Sequence, residues 1–318
     1  MNEQVLIDSL AAACPGQLPA RADVLVLQSF TQDEVRARAT RFVSLLREAD
    51  GCSRDHASFT ARDDRTLVQL TGGARAVVYH ASGALQFSAG TAPLERPFAR
   101  VEERELLQRL VAEAAERLKL GEWTGDAGSL AFERLWLSKA QGADRERSSE
   151  PVLLRATGAW RHAIGGVPVL GAASVALTLA GDSSLDALSL RIRPGVAEKL
   201  DSAIVTPLEA GAQQIARNLA SVLGNAKERL PAEAVRVRSM QFGYLDLGKR
   251  KAQRVLAPVY VAQVEVRHKL ETQGYVFAVA ATERAYQELP LFGTDQLAAR
   301  SRASIAGHCP DVLNQVLR

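Results

Sequence analysis

The spacing of apolar residues switches repeatedly between a helical period and a strand period along this chain. Residues 1–13 carry a short amphipathic pattern that predicts a helix or arm, and Ala22–Leu27 alternates weakly, as an edge strand would. Thr31-Gln32-Asp33-Glu34 reads as a capping box. Val35, Ala39, Phe42, Val43 and Leu46 then share one helical face, which predicts a helix over about 32–48. The period next drops to two: 66–70, 74–79 and 84–87 are strand candidates, separated by Thr71-Gly72-Gly73 and Ala81-Ser82-Gly83 turns.

The same order then recurs. Leu106, Leu107, Leu110, Val111, Ala114, Ala115 and Leu118 form a helical stripe, with Gly121 where a C-terminal cap belongs. A strand over 130–138 and a charged loop over 141–150 lead to Val152-Leu153-Leu154 and to the centre of the chain, Ala159 to Pro194. There two β-branched runs flank Gly165-Gly166, a further run covers 174–179, and Gly181-Asp182-Ser183-Ser184 introduces 185–193, a pattern that predicts an antiparallel meander. The third round starts at Thr206-Pro207-Leu208-Glu209, read as a threonine N-cap with proline at the first helical position, and ends its helix at Gly224. Strands over 234–245, 255–266 and 275–280 follow. The pattern over 295–317 is helical but broken by Gly307 and Pro310.

Helix followed by strands, three times, predicts an α+β fold of tandem helix-on-antiparallel-sheet units. The boundaries expected are an N-terminal arm (1–24), a first unit (25–98), a second (99–200), a third (201–290) and a helical tail (291–318).

Composition narrows the function classes. With 318 residues, 47% hydrophobic and 24% charged, the chain reads as globular and not disordered. A formal charge of +3 and 5% aromatics argue against a nucleic-acid surface. Cys14, Cys52 and Cys309 are odd in number and lack C-x-x-C spacing, so neither a disulfide framework nor a zinc site is expected. No apolar run approaches the roughly 18 residues of a membrane span, and Glu3 and Asp8 interrupt any export-signal pattern, which places the chain as written in the cytoplasm.

No catalytic set emerges. Gly243-Tyr244-Leu245-Asp246-Leu247-Gly248-Lys249-Arg250 approaches a P-loop. It lacks the hydroxyl that holds magnesium and places Asp246 where phosphate oxygens would sit, so a strand end with a basic hairpin tip is the reading. His56, His80, His162, His268 and His308 show no ligand spacing, Ser174 lacks the G-x-S-x-G frame, and Cys309 beside His308 is read as a tail thiol. No cofactor and no metal are expected.

The second-unit helix, the strand Gly165-Gly166-Val167-Pro168-Val169, the Gly181-Asp182 turn and the Arg191-Ile192-Arg193-Pro194 exit resemble the fungalysin/thermolysin propeptide module. The stretch through Leu256–Val261 and Tyr275–Val279 resembles the adjoining PepSY domain. The likeness covers about 101–290 and implies cystatin-like, helix-on-curved-sheet modules that bind or restrain a partner protein, such as a metalloprotease. Here Ala280-Ala281-Thr282-Glu283-Arg284 replaces the family's usual strand-end signature. No H-E-x-x-H zinc helix is present, so a free-standing relative is expected. The resemblance also places its families often outside the cytoplasm.

The function expected is therefore non-catalytic protein binding or regulation, as an inhibitor or chaperone would act, through a sheet face or edge. Trp160, Arg161, Val167, Val169 and Tyr260 are expected nearest that surface. The partner is a protein, such as a peptidase, or a second copy of the chain, with no nucleic acid and no membrane span. A self-assembling structural subunit is the alternative, and an enzyme of unrecognised type the third.

Overall fold

A computed structural model describes residues 2–50, 57–98, 103–143, 147–172, 174–193, 196–224, 230–268 and 271–289. In chain order, α1 (Glu3–Ala12) and β1 (Arg21–Leu27) precede α2 (Gln32–Asp50), β2 (Ala57–Ala61), β3 (Arg65–Leu70), β4 (Arg75–Tyr79) and β5 (Leu85–Ser88). Then come α3 (Arg104–Arg117), β6 (Gly128–Ala140), β7 (Val152–Ile164), β8 (Val167–Leu170), β9 (Val175–Leu179), β10 (Leu185–Leu190) and β11 (Val196–Ile204). They are followed by α4 (Leu208–Leu223), β12 (Val235–Leu245), β13 (Val255–Leu256), β14 (Pro258–His268) and β15 (Glu271–Ala280). The fold class is α+β. Among the described residues no helix is long and apolar enough to cross a membrane. The expected helical tail, together with His56, Cys52, His308 and Cys309, lies outside the described residues.

The chain forms two compact units where the sequence spacing suggests three. The larger comprises Leu25–Leu200 and Tyr244–Leu256. Its sheet runs β8-β7-β9-β10-β5-β4-β3-β2, with β6 also on β7. The expected first and second units merge because β5 pairs antiparallel with β10 and because α2 and α3 cover one continuous core. Phe42 and Leu46 of α2, Leu107 and Val111 of α3, and Leu85, Phe87, Leu177 and Leu188 of the strands all lie in it. Neither helix has a private sheet to cover. The Gly165-Gly166 turn forms as expected, both residues having positive φ (56° and 80°), and it closes the β7–β8 hairpin at Ile164–Val167.

Of the described residues, the smaller unit takes those up to Val24, those within Asp201–Gly243 and those from Ala257 to Leu289. α1 and α4 lie over the strands β12, β14 and β15, which share one sheet in the order β15-β14-β12. The amphipathic pattern of 1–13 is thus a docked helix, with Leu6, Ile7 and Leu10 buried beside Ile215 and Leu219 of α4.

Three local expectations change. At α4 the helix begins at Leu208 behind Pro207 without a side-chain cap, because the Thr206 backbone is engaged elsewhere: its N–H donates to Ala281 O, and its carbonyl accepts from Tyr260 Oη at 2.6 Å. At α3 the cap is Leu118 and the left-handed residue is Lys119 (φ 49°), not Gly121. Leu118, Leu120 and Trp123 all turn inward, so the chain continues into a tight turn instead of leaving the core. β1 is not an edge, since it lies between β11 and β13. The capping box at Thr31 does form: Glu34 N–H donates to Thr31 Oγ1 at 3.2 Å and Thr31 N–H donates to Glu34 Oε2 at 2.8 Å.

Candidate functional site

Strand alternation assigns one face of the larger unit's sheet to the helix-covered core and leaves the other open. Register joins the open-face residues into two rows across the sheet. One runs from Ala159, itself buried, through Ala176–Ser189–Gln86–Val77–Leu67, the other Thr157–Thr178–Ala187–Ser88–Arg75–Gln69. Small side chains occupy the middle of each row, at Ala176 and Ser189 and at Ala187 and Ser88. Longer ones rise on β3, β4 and β5. The result is a trough of about 940 Å³.

The trough's lining holds one cation and no carboxylate. Arg75 lines it directly. Asp186, next to Ala187, is held by Arg155 (Nε–Oδ2 2.8 Å), whose other N–H groups donate to the carbonyls of Ala92, Glu95 and Leu154. At the Gln86 side stands the loop after β12. Lys249 Nζ donates to Gln86 Oε1 at 2.9 Å and lies 5.2 Å from the Tyr79 ring centre, while Ser82 Oγ donates to Lys249 O. That loop is fastened from beneath by Arg193, whose Nε donates to Asp246 Oδ1 at 2.8 Å and whose Nη2 reaches Gly248 O and Lys251 O. The P-loop-like stretch is therefore a strand end and a basic loop tip. Asp246 is its internal anchor.

The residues expected at the docking surface do not converge. Trp160 is 8% exposed in the core beneath α3, edge-on to Phe132, so it is a packing anchor, not an open-face contact. Tyr260 is fully buried in the other unit, beneath Gly211 of α4. Val169 is buried with Leu25, Tyr244 and Leu256, and Val167 lies partly buried against them. Arg161 is spent on structure: Nη2 donates to both oxygens of Glu133, and Nη1 to the carbonyls of Val169, Gly171 and Ala172. Its charge and the Arg134 charge offset the burial of Glu133 and hold that carboxyl below its usual range. Arg75 apart, the trough residues escape a reading of the sequence because their side chains are small or neutral. Their one sequence signal is the alternation in Ala176-Leu177-Thr178-Leu179, Ala187-Leu188-Ser189 and Gln86-Phe87-Ser88.

Cys14 is half-buried, and burial pushes its thiol up, away from a nucleophile's range. Among the described residues no group of three His, Cys, Asp or Glu side chains is placed to hold a metal ion.

No protein-family model and no curated protein sequence matches the chain. Among solved structures, an uncharacterized protein from Eubacterium rectale ATCC 33656 aligns over 85% of this chain and 87% of its own, with 10% identity and a TM-score of 0.49.

Proposed function

We propose that this is a non-catalytic binding protein whose larger unit receives an extended segment of a partner polypeptide in the open-face trough. The observation that carries the reading is the trough's lining: a floor of alanine, serine and threonine, amide and aliphatic walls, and cationic neighbours without a carboxylate. A floor of small side chains admits a backbone closely, the glutamines offer donors and acceptors along it, and Arg75 and Lys249 favour acidic side chains on the guest. The resemblance of 101–290 to propeptide and PepSY modules points the same way, toward restraint of a protein such as a peptidase.

Selection of a displayed random-peptide library on the full chain tests this. Recovered peptides should be rich in Asp and Glu, and synthetic copies should bind at least about tenfold more weakly to Arg75→Glu and Ala187→Glu, one changing the charge and the other filling the floor. Peptides without acidic bias, or with affinities indifferent to Ala187→Glu, would refute it.

A second reading rests on β6. Among the described residues this 13-residue strand pairs only with β7, and Trp136 on it is 43% exposed beneath Arg134. Such an edge suits strand addition by a second copy. Light scattering that finds a monomer at every concentration would remove it.

A further inference from the structure

On the larger unit, away from the trough, α2 brings two guanidiniums over the indole of Trp123 in the turn after α3. Arg38 Cζ lies 4.6 Å and Arg41 Cζ 4.8 Å from the Trp123 ring centre. Two cations at one ring repel each other, so each needs a counter-charge. Arg41 has one, Glu122 Oε2 at 2.7 Å. Arg38 has none among the described residues: its one hydrogen bond is from Nη2 to the Ile192 carbonyl at 3.1 Å. Its Nε is sealed from solvent with no acceptor, and so is Trp123 Nε1 beside it. Burial and the Arg41 charge together push the Arg38 guanidinium down to about 9, the response of a cation short of compensation.

Every unmatched group here is a donor, so what fits is an acceptor with negative charge. The two arginines and Trp123 line a cavity of about 310 Å³ whose other walls include Phe30, Ala37 and Glu34. The volume is at the small end for organic ligands. Phe30 and the indole offer an apolar wall, which a bare inorganic ion does not use. Glu34 Oε2 already accepts from Thr31 N–H and Oγ1, which hold its carboxyl below the usual range, so it stays ionised. A fixed negative charge in the lining disfavours a dianion more than a monoanion.

We propose that this cavity binds a small organic monocarboxylate, its carboxylate on Arg38 and its apolar body against Phe30 and Trp123. The site is separate from the trough, and its test does not depend on the peptide selection. Benzoate and inorganic phosphate are titrated calorimetrically into the full chain at pH 7.5, then into Arg38→Gln and Ala37→Phe. The second variant keeps the charge and fills the cavity from an exposed helix position, so it decides the matter even if Arg38→Gln fails to fold. Saturable benzoate binding, weakened at least about tenfold in each folded variant and at least about tenfold tighter than phosphate, is the expected result. The proposal is overturned by no benzoate binding up to about 10 mM, by binding unchanged in either folded variant, or by phosphate binding as tightly as benzoate.

Discussion

His162 sits in β7 at 2% exposure, its backbone N–H donating to Ser174 Oγ at 3.0 Å while Nε2 is sealed without a partner among the described residues. Burial pushes the imidazole down to about 4. Because the folded value is depressed below the unfolded one of about 6.5, the ring favours the native state only while neutral. Its contribution is complete above about pH 6.5 and is lost as the pH falls through that value toward 4. The gap corresponds to about 3 kcal/mol, most of which is gone at pH 4.5. Carboxylates elsewhere titrate over the same range, so the comparison is between the wild-type chain and His162→Phe, which retains a flat ring and removes the proton site. Urea unfolding at pH 7.5, 6.5, 5.5 and 4.5 should show the wild type losing about 2–3 kcal/mol more than the variant between the first and last conditions. Equal losses, agreeing within about 0.5 kcal/mol, would refute the assignment of His162 as a neutral buried ring.

Two further outcomes follow from close packing. Asp246→Asn leaves Arg193 buried without its counter-charge and should cost about 3 kcal/mol, with faster tryptic cleavage at Lys249-Arg250-Lys251; unchanged cleavage would mean the pair does not hold the loop. Gly211→Ala should destabilise the smaller unit by roughly 1–3 kcal/mol in thermal unfolding, because the added carbon lies 2.5 Å from Tyr260 Cδ2, a clash that outweighs alanine's better helix propensity; an equal or higher midpoint would refute it.

What the sequence shows well is everything local. The Thr31 box, the α2 and α3 stripes, the Gly165-Gly166 hairpin and the strand alternation depend on residues a few positions apart, and the structure contains each of them. The Thr206 cap fails for a distant reason: Ala281 and Tyr260, more than fifty positions away, take the N–H and carbonyl that a capping-box residue would give to the Glu209 side chain and the first helical turn. The three-unit reading fails in the same way. Nothing near Leu85–Ser88 announces that its far side will meet Leu185–Leu190, yet that pairing turns two small sheets into one and gives α2 and α3 a common core. β11 was invisible for want of pattern, since Val196–Ile204 places Glu198, Lys199 and Asp201 among its apolar residues.

The candidate site is harder still to read, because it is made by register. Trp160 and Tyr260 draw notice as large aromatics in strands, but size is also what a core selects, and both are buried. A receiving surface for a chain needs the opposite, a floor low enough to let a backbone approach. Ala176 meets Ser189 across the local β9–β10 pair, but Ala187 meets Ser88 only because β10 pairs with β5, which joins residues about a hundred positions apart. The wall at Lys249 comes from farther along again, and depends on Arg193 gripping Asp246 to stand beside Gln86. Replacing Arg193 should therefore weaken guest binding without touching a lining residue. Losing the salt bridge while peptide affinity holds would separate the loop from the site and confine recognition to the sheet itself.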